Sequence, residues 1–211
     1  MAQLLGINLS PFVRKTLLYI NEAGIELEHD DSVLPMSNTD LLLSVNPRGK
    51  IPAYRDDDVS LGESAVICAY LEKKHGPTGL YPENAAQFGM ALWYEKYMEE
   101  EIVAAIGKIF FNRVVNPMMG GECDESAVAD GLAKLPAVFE FLEGRLEGRD
   151  YLVGEQYSIA DVSVLSPFAN LYMAKESVNP DAYPNVLRYI QNLEKRESVA
   201  KTLAMCGATF S

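Results

Sequence analysis

The sequence predicts an α/β domain followed by an all-α domain, and two observations carry this prediction. Strand and helix signals alternate over residues 1–75, whereas residues 83–211 show helical spacing and few strand signals. Between them, Gly76–Pro82 is rich in glycine and proline, which interrupt regular structure. The expected divisions are a first domain over 1–76, a linker over 77–84 and a helical domain over 85–211.

The first domain is predicted to have the element order β-α-β-α-β-β-α. Short apolar or alternating runs indicate strands, and apolar residues at helical spacing indicate helices. Gly24 follows one such helical run and is suited to a C-cap. The predicted elements are a strand at Gln3–Leu9, a helix ending at Gly24, a strand at Ile25–His29, a short helix near Thr39–Ser44, a hairpin of Ala53–Arg55 and Val59–Leu61, and a helix from Ala65 to His75.

The second domain is predicted to consist of long helices. Pro136 lies inside one of them and should kink it unless a new helix starts there. Ser158 followed by Asp161 resembles a capping box, a structural feature of a helix start rather than a catalytic one. The predicted helices are Gln87–Phe111, Ser126–Glu147, Ser158–Tyr172 and Val186–Lys195, with a break at Asn116–Gly121.

Composition and charge exclude several classes of function. The net charge of −12 argues against general nucleic-acid binding, which needs basic surface to neutralise phosphates. No run reaches the roughly 18 apolar residues of a membrane span, so no membrane partner is expected. Cys68, Cys123 and Cys206 show neither metal spacing nor a CxxC pair. With no signal-peptide pattern at the N-terminus, a reducing, cytoplasmic location is expected.

The most informative stretch is Asn46–Tyr54 followed by Glu63 and Ser64. Pro52 stands at the start of an apolar run, where proline is tolerated in a strand. An X-Pro bond can be cis at low cost, and a cis bond would leave the Ile51 backbone free to pair with a ligand. The helix that opens at Ser64 presents unpaired N–H groups to an anion. The stretch therefore predicts a site for a peptide-like carboxylate.

Four motifs in order resemble the cytosolic glutathione transferases, of the bacterial type with serine at the catalytic position. They are Ser10–Lys15, Asn46–Pro52, Glu63–Ser64 and Ser158–Asp161. The resemblance covers nearly the whole chain. It implies a thioredoxin-like βαβαββα domain, an α-helical C-terminal domain and a homodimer.

The resemblance also implies how glutathione is held. Pro52 corresponds to the family's cis-proline, and the Ile51 backbone to the partner of the cysteinyl amide. Glu63 and Ser64 correspond to the pair that holds the γ-glutamyl end, whose ammonium suits a carboxylate and whose carboxylate suits a hydroxyl. Lys50 is placed to meet the glycyl carboxylate. Glutathione is a co-substrate in this scheme, with no further cofactor and no metal.

Ser10 is the predicted catalytic residue. It precedes Pro11, so it suits the N-cap of the first helix, and a cap alone is the alternative interpretation. The resemblance implies that its hydroxyl donates to the glutathione sulfur and favours the thiolate. Serine cannot form a mixed disulfide, which favours conjugation or peroxide reduction over thiol exchange. Asn8 is interpreted as a loop residue, with help in orienting the ligand as the alternative, and Arg14 as a surface or salt-bridge residue.

The second substrate is expected to be a small hydrophobic electrophile, in a pocket to which the helical domain contributes. Two other functions stay open: a binding or regulatory module without catalysis, and a peroxidase, lyase, isomerase or dehalogenase that uses glutathione. The intact Glu63–Ser64 pair argues against the module. The predicted acceptor residues are Phe12, Tyr94, Met98, Phe110, Phe111 and Met118.

Overall fold

The structure, a computed structural model, describes residues 2–37 and 39–210. Met1, Asn38 and Ser211 fall within the predicted domains but outside the described residues. The chain divides into two compact units, with the boundary between Gly79 and Leu80. This boundary lies inside the predicted linker, and the exact predicted limits of the domains stay predictions. No helix of the described residues is both long and apolar enough to cross a membrane.

The first unit contains a four-stranded mixed sheet with strand order β2-β1-β3-β4. β1 pairs with β2 in parallel and with β3 in antiparallel, and β3 pairs with β4 as a hairpin. The predicted α/β class and element order are therefore confirmed. The elements are β1 Gln3–Leu5, α1 Pro11–Ala23, β2 Glu28–Asp30, α2 Asp40–Val45, β3 Ala53–Arg55, β4 Ser60–Gly62 and α3 Ser64–His75.

The first strand is shorter than the sequence predicts, because it ends at Leu5 rather than Leu9. Gly6 follows with φ +141°, a conformation that side-chain-bearing residues rarely adopt. The chain then turns toward α1, which begins at Pro11. The apolar residues that extended the predicted strand thus lie in the loop that leads to Ser10.

The core of the first unit lies between the sheet and the two helices α1 and α3, which pack against each other. Leu4, Tyr54 and Ile67 are fully buried there, as is Cys68. Full burial of a large apolar side chain contributes about 1.5–3 kcal/mol. The residues that form the ends of these elements, rather than this core, make up the site described below.

The regular elements among the described residues of the second unit are all helices. Its elements are α4 Ala85–Tyr97, a π-helical segment π1 at Met98–Ile102, α5 Val103–Phe110, a second segment π2 at Phe111–Val115, α6 Asn116–Met118, α7 Glu125–Arg145, α8 Ile159–Met173, α9 Pro184–Glu194 and α10 Glu197–Cys206. The predicted all-α class is confirmed. α7 runs continuously through Pro136, and the helical path of the first long helix extends to Met118, beyond its predicted end.

The π-helical segments explain how the first long helix keeps one buried face. Its buried residues Tyr94, Met98, Ile102 and Ile106 are spaced by four. In an α-helix of about 3.6 residues per turn, such a row drifts around the axis. A π turn is wider and offsets this drift. Simple helical periodicity did not predict the two segments.

α8 is the central helix of the second unit, and residues Ile159–Leu171 are all buried. Its start has the predicted capping box: Asp161 accepts hydrogen bonds from the backbone N–H of Ser158 at 2.9 Å and of Leu152 at 2.9 Å. The Tyr189 hydroxyl donates to the same carboxylate at 2.9 Å. Burial raises the pKa of Asp161 to about 6.

Candidate active site

Ser10 caps the first helix, in the geometry that the sequence predicts. Its backbone is extended, and its Oγ accepts a hydrogen bond from the Val13 N–H at 3.4 Å. This is long for such a bond, so the hydroxyl is weakly engaged. Ser10 is half-buried at the positive end of the α1 dipole. Its hydroxyl can therefore donate to an anion beside the helix start.

Gly6 brings the Ser10 loop against the stretch that contains Ile51. A Cβ atom built at Gly6 would lie 2.6 Å from Val13 Cγ2 and 2.9 Å from Ile51 Cβ, so no side chain fits there. His29 fixes the same loop, since its Nε2 lies 2.8 Å from the Gly6 carbonyl oxygen. The two sequence motifs thus meet through this close approach.

Arg14 is buried rather than at the surface, as the first of its two sequence-based interpretations had placed it. It is only 1 % exposed, and its Nη2 donates to the carbonyl oxygens of Asn8 at 3.2 Å and Leu9 at 3.3 Å. Its apolar neighbours on α1 draw it into the interior, where backbone carbonyls receive its donors. Arg14 therefore fixes the loop immediately before Ser10. Asn8 itself donates from Nδ2 to Asp31 at 3.3 Å, in keeping with a loop role.

The Ile51–Pro52 peptide bond is cis. Ile51 is 8 % exposed, and its backbone N–H and C=O have no hydrogen-bond partner among residues 2–37 and 39–210. Unpaired main-chain groups of this kind can receive an extended peptide. Pro52 is buried, and Lys50, next to the cis bond, is exposed.

Asn46 organises the turn before the cis bond. Its side-chain Nδ2 donates to the Lys50 carbonyl at 2.8 Å, and its Oδ1 accepts from the Arg48 N–H at 3.1 Å. Asn46 also lies against Gly62, where an added Cβ would be 2.5 Å from Nδ2. The turn and the residues before α3 are consequently packed together without room for a side chain at position 62.

The start of α3 presents an unusual backbone and an unpartnered hydroxyl. Glu63 precedes the helix with φ +69°, rare for a residue with a side chain. Ser64 is 2 % exposed, and its buried Oγ has no partner among the described residues. Leaving such a group unpaired costs about 1–3 kcal/mol. This is the feature expected of a hydroxyl that awaits a ligand beside helix N–H groups.

Glu63 pairs with Arg48, a contact that sequence reasoning missed. The Arg48 guanidinium Nη1 bonds to Glu63 Oε1, with both side chains about half exposed. Arg48 belongs to the Asn46–Pro52 motif, but the sequence predicted no role for it. The available signal was the positive charge of Arg48, which favours a carboxylate partner such as Glu63.

A second network stiffens the hairpin that leads to α3. Asp56 accepts hydrogen bonds from Tyr54 at 2.8 Å, Tyr70 at 2.8 Å and Lys74 at 2.7 Å. Burial alone would raise the pKa of Asp56. The hydrogen bonds from Lys74, Tyr70 and Tyr54 have the larger effect and hold this pKa below its ordinary value. The network ties β3 to α3 away from the Ser64 end of the helix.

The predicted acceptor residues fall into two groups. Tyr94, Met98 and Phe110 are 1 %, 0 % and 6 % exposed, which is the packing role usual for apolar residues of a helix. Their placement does not support an acceptor role. Phe111 and Met118 are 48 % and 68 % exposed, and Phe12 is half-buried at the start of α1. These last three remain accessible to a ligand.

No cluster of three or more His, Cys, Asp or Glu side chains that could hold a metal ion occurs in the described part of the chain. The groups brought together are instead hydroxyls, main-chain amides and one ion pair. Such donors suit an organic ligand with its own charges.

Comparison with known proteins identifies this arrangement. The family model for the glutathione S-transferase N-terminal domain matches residues 4–79, and that for the glutathione S-transferase C-terminal domain matches residues 94–197. The chain belongs to the glutathione S-transferase family.

Plant proteins are among the similar members of this family. Glutathione S-transferase 1 of Zea mays is 34 % identical over 160 residues, which cover 76 % of this chain and 75 % of the relative. Among solved structures, a glutathione S-transferase I with bound lactoylglutathione has a TM-score of 0.86, 31 % identity and coverage of 97 % and 99 % of the two chains. Maize glutathione S-transferase I with an atrazine glutathione conjugate has a TM-score of 0.83, 30 % identity and 98 % coverage of both. The bacterial subclass of the transferase stays a prediction.

Proposed function

We propose that this glutathione transferase binds glutathione in its first unit and activates its thiol with Ser10. The observation that carries the proposal is the grouping of the Ser10 hydroxyl, the Ile51 main chain and the unpartnered Ser64 hydroxyl around one region. Gly6 joins the first two groups, and the contact between Asn46 and Gly62 joins the last two. Together these groups complement a tripeptide thiol, which offers a thiol, a peptide main chain and a charged end.

The γ-glutamyl end supplies both charges that this region can pair. Its carboxylate accepts from the Ser64 hydroxyl and the N–H groups at the α3 start, and its ammonium pairs with Glu63. The cysteinyl main chain pairs with Ile51. Lys50 is exposed and meets the glycyl carboxylate. Pro52 shapes this surface through its cis bond.

Arg48 orients Glu63 for the ligand ammonium. An exposed ion pair of this kind contributes only about 0–1 kcal/mol to folding, so its main effect is on the position of the carboxylate. The guanidinium also lies near the place assigned to the γ-glutamyl carboxylate. Arg48 and Glu63 thus form a matched pair of charges for a zwitterionic ligand end.

The chemistry follows from thiol acidity. A free thiol has a pKa near 8.5, and is mostly protonated at neutral pH. Donation from Ser10 Oγ at a helix start favours the thiolate, and a pKa lower by about two units corresponds to about 2.7 kcal/mol. Ser10 acts as a hydrogen-bond donor, while the thiol proton passes to solvent.

The reaction class is substitution or addition at an electrophilic carbon. The maize relative that holds an atrazine glutathione conjugate supports aromatic substitution as one case. There the thiolate sulfur attacks the ring carbon, a C–S bond forms, the C–Cl bond breaks, and chloride leaves with the electron pair. Within the helical unit, Phe111 and Met118 are the accessible apolar residues that we assign to the electrophile, and Phe111 begins π2, a helix type frequent at functional sites.

A homodimer in the cytoplasm completes the proposal. The family relationship supports both parts. Light scattering on the purified protein gives the mass in solution, and a value of one chain of 23.3 kDa would contradict the dimer.

The test is a rate measurement with glutathione and three electrophiles: chlorodinitrobenzene, an isothiocyanate and an organic hydroperoxide. Conjugation that saturates in glutathione supports the transferase. Binding of glutathione without turnover across the panel would favour the binding module. Product analysis separates the remaining alternatives, because a lyase or isomerase returns glutathione and a peroxidase yields its disulfide.

A further inference from the structure

A side chain of β2 holds the segment that leads to Ser10. This segment, Gly6–Leu9, connects the end of β1 with the cap of α1, and both the N–H and the C=O of its first residue are hydrogen-bonded. The Gly6 N–H donates to the Asp30 carbonyl at 3.0 Å, and the Gly6 carbonyl oxygen lies 2.8 Å from His29 Nε2. The position of Gly6 therefore depends on β2, which supplies both partners.

The bond from His29 takes the place of a backbone bond between the two strands. In the parallel pairing of β1 with β2, Leu5 lies opposite Asp30, and the bond from the Gly6 N–H continues this ladder. The next ladder bond would run from the Ser32 N–H to the Gly6 carbonyl. The Ser32 N–H donates instead to Asp30 Oδ1 at 3.1 Å, and the imidazole bonds to the Gly6 carbonyl. The pairing therefore ends here, and the chain turns toward α1.

The geometry also determines which imidazole nitrogen carries a proton. A carbonyl oxygen only accepts hydrogen bonds, so His29 Nε2 must be protonated and donate. Without this donor, the Gly6 carbonyl has to turn toward water to be satisfied. The Ile7 N–H donates to the Val33 carbonyl at 3.0 Å, so the segment stays attached to the rest of the unit. Loss of the imidazole is therefore expected to rotate the Gly6 peptide without unfolding the segment.

A rotation of Gly6 affects the residues that surround the proposed thiol. Gly6 packs so closely that an added Cβ would lie 2.6 Å from Val13 Cγ2 and 2.9 Å from Ile51 Cβ. The Val13 N–H is the donor to Ser10 Oγ, and the Ser10 N–H donates to the Ile7 carbonyl at 3.1 Å. A change at Gly6 therefore moves the Ser10 hydroxyl, and it also presses on Ile51.

We propose that His29 is a positioning residue for the conjugation reaction, which acts through the Gly6 carbonyl on the Ser10 hydroxyl. This inference rests on the proposed function of Ser10 as the donor to the glutathione sulfur. Hydrogen bonds weaken steeply as their distance and angle depart from the best geometry. By holding Gly6, His29 sets the place at which Ser10 Oγ meets the sulfur, and it exchanges no proton with either substrate.

Two amide substitutions separate this bond from the rest of the side chain. Glutamine places its NH2 group near the position of the imidazole Nε2 and can donate to Gly6, whereas the shorter asparagine places it near Nδ1 and cannot. His29→Asn should raise the pKa of the bound glutathione thiol by about one unit, a tenfold loss in the ratio of thiolate to thiol. His29→Gln should retain most of the parental thiol acidity. His75→Asn, at the only other histidine and at the exposed end of α3, is the matched control and should behave like the parent.

Initial rates and a double variant give two further measurements. At the pH where half of the bound thiol is ionised in the parent, a rise of one unit in its pKa leaves about a tenth ionised, so kcat should fall about fivefold in His29→Asn. The KM for the electrophile should stay the same, because His29 has no assigned contact with it. In the double variant of His29→Asn with Ser10→Ala, the thiol pKa should equal that of Ser10→Ala alone, since no hydroxyl remains to be positioned.

The parent protein offers a test that needs no His29 variant. The nitrogen chemical shifts of its two imidazoles, assigned with His75→Asn, should show His29 protonated at Nε2. A neutral His29 with its proton on Nδ1 would overturn the proposal, even if His29→Asn fails to fold.

Three results on the variants would also overturn the proposal. They are a parental thiol pKa in His29→Asn, the same raised thiol pKa in His29→Asn and His29→Gln, and additive pKa shifts in the double variant. Urea unfolding of the same proteins identifies a purely structural role, which would lower the free energy of unfolding and leave the thiol pKa unchanged. Failure of the proposed function would appear separately, as a parent protein that binds glutathione without lowering its thiol pKa.

Discussion

At the residue scale, Ser10 has two tasks at the start of α1: it caps the helix and faces the proposed thiol. The cap is visible as the bond from the Val13 N–H to Ser10 Oγ. The two tasks make different demands, since a cap needs an acceptor and the thiolate needs a donor. Substitutions can therefore separate them.

We expect Ser10→Ala to lower the free energy of unfolding by about 0.5–2 kcal/mol, because the cap is lost. Ser10→Asp should keep the stability, since aspartate caps as well as serine, but should slow conjugation because its charge repels the thiolate. Urea unfolding and initial rates measure the two effects. Equal loss of stability in both variants would contradict the role of Ser10 as a cap.

Glu63 holds a backbone conformation that favours glycine, with φ +69°. Glu63→Gly should raise the free energy of unfolding by about 1 kcal/mol, since the strain is relieved, while the KM for glutathione rises at least tenfold. Glu63→Gln is the control: it keeps the strain and loses only the charge. A Glu63→Gly protein that binds glutathione like the parent would contradict the proposed pairing with the ligand ammonium.

The sequence predicted the structural roles of some of these side chains but not of others. Ser10 as a cap could be predicted because Pro11 follows it, a local signal. The inward position of Arg14 and the pairing of Arg48 with Glu63 could not, because both depend on where distant segments meet. Only the folded chain brings a turn residue to a carboxylate fifteen positions away.

At the element scale, the site depends on two turns that meet without side chains between them. Gly62→Ala would place a Cβ 2.5 Å from Asn46 Nδ2 and push the Asn46 turn away from α3. We expect a loss of about 1–3 kcal/mol of stability and a several-fold rise in the KM for glutathione.

Gly144→Ala is the matched control for that substitution. Its Cβ would meet nothing within 4 Å, and it lies in α7, so the change should be neutral or stabilise by about 0.5–1 kcal/mol. Differential scanning calorimetry and glutathione titrations on both variants decide the matter. A Gly62→Ala protein as stable as Gly144→Ala would contradict the close contact.

The start of α8 gives a pH prediction. Burial raises the pKa of Asp161 from an ordinary 3.8 to about 6, so the folded state binds more protons between these values. The contribution of Asp161 to stability is therefore full below pH 3.8 and declines as the pH rises through about 6.

Asp161→Asn should destabilise at every pH, because its Oδ1 can still accept from Leu152 and Tyr189, but its NH2 group cannot accept the bond that Asp161 Oδ2 receives from the Ser158 N–H. The stability difference between parent and variant should be larger near pH 4 than near pH 7. Urea unfolding across this range measures it. A difference that grows with pH would contradict the raised pKa.

Helix and strand ends could be predicted where local residues determine them, and not where distant segments do. Thr39 caps α2 and Gly24 caps the end of α1, both as local chemistry predicts. β1 ended early because Gly6 must approach Ile51, a contact between distant segments. α10 was missed because its buried apolar residues, Val199 and Leu203, repeat only once at helical spacing.

At the scale of the whole molecule, the division into an α/β unit and a helical unit could be predicted from periodicity alone. The change from alternating signals to helical spacing coincides with glycines and prolines near the boundary at Gly79–Leu80.

The whole-molecule charge also bears on substrate binding. A net charge of −12 opposes an anionic ligand such as glutathione, so local cations must offset it. Exposed Lys50 and Arg48, in the turn before the cis bond, are the cations that we assign to this task.

The most direct test of the central claim is the pKa of the glutathione thiol in the complex, from the ultraviolet absorbance of the thiolate across pH. The parent protein should lower this pKa by about two units from its free value near 8.5, and Ser10→Ala should return it most of the way while glutathione still binds. An unchanged thiol pKa in the Ser10→Ala complex would contradict the role of Ser10.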